Sequence, residues 1–362
     1  MLMNLNPRPA PQEYLCIEGA YDTLPEKLAE RFIKKPILVH GTKSMAVAQP
    51  FLPVFDDIVI IPIAFNGECS EEEIQRLVSL CASEQADAII GLGGGKIMDT
   101  AKAAAYRSGA LPVILLPTMA SNCAAWTPLS VLYTPSGNST GFEVYPQQIS
   151  LLLIEPRVII NSPIPFFIAG IADTLAKWYE ADAILSQINE PSLALDFCRY
   201  AAQICHDIPL ALGEKAVEDM RNKQPTSTWI KVMETNIMAG GLVGGFGDEY
   251  GRTAAAHPIH DALTLRAETH QFLHGVKVAY GVLVQLAMEG KWDEIDRLST
   301  FYNTFNLPRC LADLNLNHLT DNELLIIANR ACEPGESIHF LPGEVTPQLV
   351  VSAIRKLEKH IY

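Results

Sequence analysis

The feature that most restricts the fold is a change of hydrophobic rhythm near residue 160. Before it, short β-rich apolar runs alternate with amphipathic stretches; after it, only helical patterns continue. The apolar runs are Ile37–His40, Asp57–Ile61, Asp87–Gly91, Pro112–Leu116 and Ser150–Ile154. Strands that are apolar on nearly every residue and separated by helices build a parallel sheet covered on both faces. Ser70 followed by Glu73 reads as a capping box, and Ile74, Leu77, Leu80 and Cys81 carry helical spacing behind it. Val131–Tyr145 interrupts the alternation and reads as a hairpin turning at Pro135-Ser136-Gly137-Asn138. Asn161-Ser162-Pro163 is a helix start, and helical patterns follow over Phe167–Leu185, Thr226–Gly245, Val276–Met288 and Thr346–His360. The expectation is therefore α/β plus all-α. A Rossmann-like parallel-sheet domain occupies residues 1–162 and a helical-bundle domain residues 163–362. A chain of 362 residues is long enough for two cores.

Lys plus Arg number 27 against 41 Asp plus Glu, a net charge of −14. An acidic surface argues against nucleic acid and anionic membranes as partners. No apolar run approaches the ~18 residues of a membrane helix. The N-terminus lacks a basic segment followed by an apolar one, so no secretory signal is expected. The eight cysteines form no C-x-x-C pair and suit reduced, buried thiols. A cytoplasmic protein acting on a small molecule is the expectation.

The run Asp87–Gly91 enters Gly91-Leu92-Gly93-Gly94-Gly95-Lys96, and a helical pattern begins there. Glycines let backbone N–H groups approach a phosphate, and a helix N-terminus favours negative charge. It is not a Walker loop, because Ile90 and Ile97 stand where Gly and Ser or Thr are needed. Lys96 replaces the third glycine of the usual dinucleotide fingerprint. A tight strand-to-helix turn without a ligand is the competing reading. After Pro112–Leu116, Thr118 and Ser121 offer hydroxyls where open α/β sheets bind ligands, or else cap the local turn.

Asp173 lies in an apolar helical pattern beside Ile171, Leu175 and Ala176, so its carboxylate needs a partner. His257, His260 and His274 come far along the chain. One carboxylate and two imidazoles, with water or substrate completing the shell, suit Zn²⁺ or Fe²⁺. The residues equally suit core histidines and an Asp173–Lys177 ion pair at i+4.

These segments resemble the iron-containing alcohol dehydrogenase family, in its glycerol dehydrogenase branch. The resemblance is carried, in order, by GLGGGKIMDTAKA from Gly91, LPTMASNCAAWTPLSVLYT from Leu116, FIAGIADTLAKWYEA from Phe167, AAAHPIHDALT from Ala254 and FLHGVKVAYGVLVQLAME from Phe272. Glu336-Ser337-Ile338-His339 extends it toward the C-terminus. Within the branch, the NCAAWTPLS and ADTLAKWYEA segments are most similar to hydroxycarboxylate dehydrogenases, which reduce 2-oxo acids with NADPH. The resemblance implies a dehydroquinate synthase-like fold with the active site between a coenzyme domain and a helical domain. It places the pyrophosphate turn on Gly94 and Gly95, with Lys96 and Asp99 beside it. Further coenzyme contacts fall on Thr118, Ser121, Thr127, Leu129 and Tyr133, and the metal ligands on Asp173, His257 and His274. His260, one turn from His257, faces the cleft as a route for a proton. A homo-oligomer is the family expectation.

Three departures narrow the implied activity. Glycerol dehydrogenases carry an acidic residue after the strand that here reads Ile37–His40, where this chain has Thr42 and Lys43. Losing the acid and gaining a cation favours NADP(H) over NAD(H). The branch's polyol-binding aspartate aligns with Cys123, a poor acceptor that no longer repels an anionic substrate. A further histidine ligand of the wider family is replaced by Lys177, which suits a substrate carboxylate. The expectation is NADPH-dependent reduction of short 2-oxo acids to 2-hydroxy acids with one divalent metal, zinc before iron. The alternatives are an NAD-dependent glycerol, polyol or aldehyde dehydrogenase and a non-redox, dehydroquinate synthase-like metal lyase.

Overall fold

The computed structural model describes residues 5–361. The chain separates into two compact units: residues 8–167 with 216–241, and residues 168–215 with 242–361 and 5–7. The chain first leaves the α/β unit after residue 167, and the segment 216–241 returns to it. It is anchored there by Trp229, which is fully buried and stacks on Phe167 at 6.0 Å. The Lys223 ammonium donates to the Ile160 carbonyl, and the Tyr14 hydroxyl donates to Glu234. Among the described residues no helix is long and apolar enough to cross a membrane.

In the α/β unit the strands are β1 (Tyr14–Cys16), β2 (Ile37–His40), β3 (Ile61–Ala64), β4 (Ile89–Gly93), β5 (Val113–Pro117), β6 (Leu129–Tyr133), β7 (Ser139–Val144) and β8 (Leu151–Ile154). Six of them form one sheet in the order β1-β8-β5-β4-β2-β3, with every neighbouring pair parallel. β4, β5 and β8 are buried at every residue, as strands covered on both faces require. The expected run Asp57–Ile61 is realised later, as β3. This is an edge strand whose residues alternate half-buried and exposed, and the Val59 N–H already bonds the Lys34 carbonyl before the ladder proper. β6 and β7 form the expected hairpin, bulged between Leu132 and Tyr133 and turning through Gly137 at φ 87°. The chain leaves β2 toward β3 and leaves β4 toward β5, so its connections diverge between β2 and β4. Such a switch point opens a crevice beyond the carboxyl ends of the two strands.

The helical unit is organised around helix His274–Glu289, which is buried along nearly its whole length. Two of its glycines explain how neighbours come so close. A Cβ on Gly275 would overlap the Ala169 carbonyl of helix Ile164–Leu185. A Cβ on Gly281 would overlap the Ala256 carbonyl of helix Ala256–Leu263. Both neighbouring helices therefore approach the central one at backbone distance. The helix expected over Thr226–Gly245 is not uniform: Ser227–Glu234 is α-helical, Thr235–Ala239 widens into a π turn, and α-helix resumes at Gly240.

Candidate metal centre and coenzyme turn

Helix Ile164–Leu185 presents Asp173, helix Ala256–Leu263 presents His257, and His274 opens the central helix. Each histidine adjoins or lies near one of the glycine contacts just described, so close helix packing carries the three side chains together. Their ligand atoms all lie within 4.8 Å of one another. The Nε2 atoms of His257 and His274 each stand 3.3 Å from Asp173 Oδ1. Asp173 is 3% exposed, and its Oδ1 has no hydrogen-bond partner.

The donor set fits a divalent cation. His257 Nδ1 lies 2.6 Å from Glu180 Oε2. Burial opposes ionisation of the Glu180 carboxyl, yet the charge and hydrogen bond of His257 hold it below the usual carboxylate range. An ionised carboxylate only accepts, so Nδ1 carries a proton and Nε2 turns toward Asp173. Two imidazole nitrogens and a carboxylate oxygen then converge on one point. Burial lowers the His257 pKa, but the Glu180 charge overrides it and pushes it up to about 9. Burial would likewise raise Asp173, but Lys177 and the two imidazoles hold it well below its ordinary value.

Lys177 is buried, 8% exposed, and donates to the Arg252 carbonyl at 3.4 Å while its charge reaches Asp173. His260 stands edge-on to His274, with ring centroids 4.2 Å apart, and its Nδ1 lies 3.0 Å from Asp261 Oδ1. Burial and the His274 charge push its pKa down to about 3, so it is a neutral ring. His270 bonds the Thr264 carbonyl and His339 the Cys332 carbonyl, and neither belongs to the ligand group.

Glu180 and Gln285 are not singled out by the sequence. Glu180 lies two helical turns after Asp173, on the same face. Glu180 Oε1 accepts the Ala254 and His257 N–H groups, and Gln285 Oε1 accepts those of Ala255 and Ala256. Helix Ala256–Leu263 has no side-chain cap of its own. These two buried side chains from other helices satisfy the donors that its start would leave orphaned.

In the α/β unit, β4 ends at Gly93 and helix Gly95–Arg107 starts with Gly94 as its cap residue. None of Gly91, Gly93, Gly94 and Gly95 is left-handed. They are small because neighbours are close: a Cβ on Gly94 would lie 3.0 Å from Met119 Sδ, and one on Gly95 2.7 Å from Asn122 Nδ2. The turn is thus a bare backbone surface at a helix N-terminus, which suits a pyrophosphate. Thr118 is buried beside it, its N–H bonded to the Gly93 carbonyl. Thr42 and Lys43 begin helix Thr42–Ala48 beyond β2, both exposed. Ser44 ties them to β4 by donating to the Leu92 carbonyl. Ser121 is half-buried in the loop after β5.

Two residues of this group have local partners. Asp99 is buried and paired with Lys102 at 2.9 Å. The Lys102 ammonium in turn holds the carbonyls of Ala124, Thr127 and Leu129, which fixes the loop leading into β6. Lys96 pairs with Glu68 at 2.5 Å and lies over the Tyr133 ring at 5.5 Å. Cys123 is half-buried in the same loop, its Cβ 3.4 Å from where a Cβ on Gly240 would stand.

The sequence pattern that defines the iron-containing alcohol dehydrogenase family matches residues 11–156. The chain is 38% identical over 349 residues to hydroxycarboxylate dehydrogenase A of Escherichia coli K12, covering 96% of both. It is 34% identical over 356 residues to the glycerol dehydrogenase of Thermotoga maritima, covering 97% of this chain and 96% of that one. Among solved structures, a probable glycerol dehydrogenase from Sinorhizobium meliloti 1021 is similar with a TM-score of 0.88 and 28% identity over 97% of each chain.

Proposed function

The chain belongs to the iron-containing alcohol dehydrogenase family and is an oxidoreductase, and from that premise we propose that it reduces short 2-oxo carboxylic acids to 2-hydroxy acids with NADPH. The observation that carries this reading is the convergence of Asp173 Oδ1 with the Nε2 atoms of His257 and His274, with the Lys177 ammonium buried beside them. Asp173, His257 and His274 are the metal ligands in this reading, and two imidazoles with a carboxylate suit zinc. When bound, a metal on these residues would supply Lewis-acid polarisation of a keto oxygen, and a reduced nicotinamide would supply a hydride.

The chain's own residues do the rest. Lys177 balances and orients the substrate carboxylate, which a neutral aldehyde lacks. Cys123, standing where glycerol dehydrogenases have an aspartate, removes an anionic acceptor for polyol hydroxyls. His260 has its Nδ1–H held by Asp261 and stores no proton at neutral pH, so it serves as a relay for a proton arriving through water. Gly94 and Gly95 receive the pyrophosphate, and Thr118, Ser121, Thr127, Leu129 and Tyr133 line the coenzyme. Lys43, next to Thr42, attracts the 2′-phosphate of NADPH.

Resemblance to glycerol dehydrogenases supports a second reading, oxidation of a polyol with NAD. A substrate panel separates the two. With 2-oxobutanoate or 2-oxoglutarate, NADPH consumption should outpace NADH consumption and stop on adding a chelator. Faster turnover of glycerol with NAD would overturn the 2-oxo acid reading. Lys177→Met should cost anionic substrates roughly 10- to 100-fold in kcat/KM, the worth of a hydrogen bond to a charged group, and spare neutral aldehydes. An equal loss for both would remove Lys177 from substrate binding.

A further inference from the structure

We infer that Glu180 is the positioning residue of the metal centre: it fixes the tautomer of His257 so that Nε2, and not Nδ1, faces Asp173 and His274. The inference rests on the metal-site reading above and deepens it.

Glu180 is fully buried, accepts three hydrogen bonds from one short segment, and also feels the Lys177 charge. Oε1 accepts the N–H groups of Ala254 at 2.8 Å and His257 at 3.1 Å, and Oε2 accepts His257 Nδ1–H at 2.6 Å. One oxygen therefore holds the backbone that carries the ring, and the other holds the ring. Asp173 and Glu180 project from the same face of one helix, so the ligand and the group that aims its neighbour share a rigid frame. Buried carboxylates are costly unless fully paired, and this one is paired on both oxygens. A histidine whose far nitrogen donates to a carboxylate is also a more basic ligand through its near one.

Two roles are separable by substitution. In Glu180→Gln the amide oxygen still accepts from Ala254 and His257, so the cap on helix Ala256–Leu263 survives. The amide NH₂ then meets His257 Nδ1 and donates to it, which moves the ring proton to Nε2 and blocks the ligand position. The test is zinc affinity of the purified full chain, measured by competition with a chromophoric chelator. Wild type should bind one equivalent. Glu180→Gln should keep its circular dichroism and lose roughly 10- to 100-fold in affinity. Unchanged affinity in Glu180→Gln would overturn the inference and leave Glu180 as a cap alone. Failure of wild type to bind zinc would instead overturn the metal reading. Should Glu180→Gln not fold, imidazole ¹⁵N resonances of zinc-loaded wild type decide the matter, with His257→Ala assigning the signals. Zinc on Nε2 with a protonated Nδ1 supports the inference, and zinc on Nδ1 refutes it.

Discussion

At the glycine turn proposed for the coenzyme, Gly94 and Gly95 strip side chains from a helix start, and Met119 and Asn122 close in on the space this leaves. At the metal cluster, three helices bring side chains to a point, and the backbone between them is what the glycines hide. The first device is contiguous in sequence: strand, glycines, helix. The second draws on Asp173, His257 and His274, and its precision comes from Gly275 and Gly281 letting the central helix touch its neighbours. The lesson is that glycine serves both regions by permitting close approach of protein, side chains of the following loop at the turn and backbone carbonyls at the helix cluster.

Variants that disable one region and spare the other break or sharpen this comparison. His274→Ala should remove the metal and several kcal/mol of charge stabilisation, roughly 10³-fold or more in kcat/KM. Its affinity for reduced nicotinamide, read by fluorescence, should stay as in wild type. Gly275→Ala leaves every ligand in place yet drives a methyl group into the Ala169 carbonyl. We expect a loss of about 1–3 kcal/mol in unfolding free energy and weaker zinc binding with it. Wild-type stability there would show that the helix contact is looser than the structure has it. On the other side, Gly95→Ala forces Asn122 aside and should weaken coenzyme binding about tenfold, with metal content unchanged. Smallest is Lys43→Glu, an exposed charge reversal that should shift the NADPH-to-NADH ratio of kcat/KM severalfold toward NADH. An unmoved ratio would dismiss Lys43 as a coenzyme determinant.

What the sequence disclosed follows the same divide. β2 falls on Ile37–His40 as read, and the turn from β4 into helix Gly95–Arg107 is where the glycines put it, because neighbours in space are neighbours in the chain. β1 escaped because three residues carry no periodicity, and β3 slid because an edge strand is not apolar throughout. The return of residues 216–241 to the α/β unit depends on Trp229 finding Phe167, a pairing no local pattern encodes. Resemblance, more than spacing, singled out Asp173, His257 and His274 as a group, since their separation along the chain has no period. Glu180 is not singled out by the sequence. Its one sequence signal is its place two turns beyond Asp173, on the face that also carries Lys177. Asp99, which the resemblance places beside the pyrophosphate turn, pairs with Lys102, a structural duty no local pattern encodes.

The measurement that bears most directly on the account is an anomalous difference map from crystals of the zinc-loaded protein. The account predicts one peak per chain, about 2.0–2.2 Å from an Asp173 carboxylate oxygen and from the Nε2 atoms of His257 and His274. A peak elsewhere, or none at that point in protein shown to retain one equivalent of zinc, would contradict it.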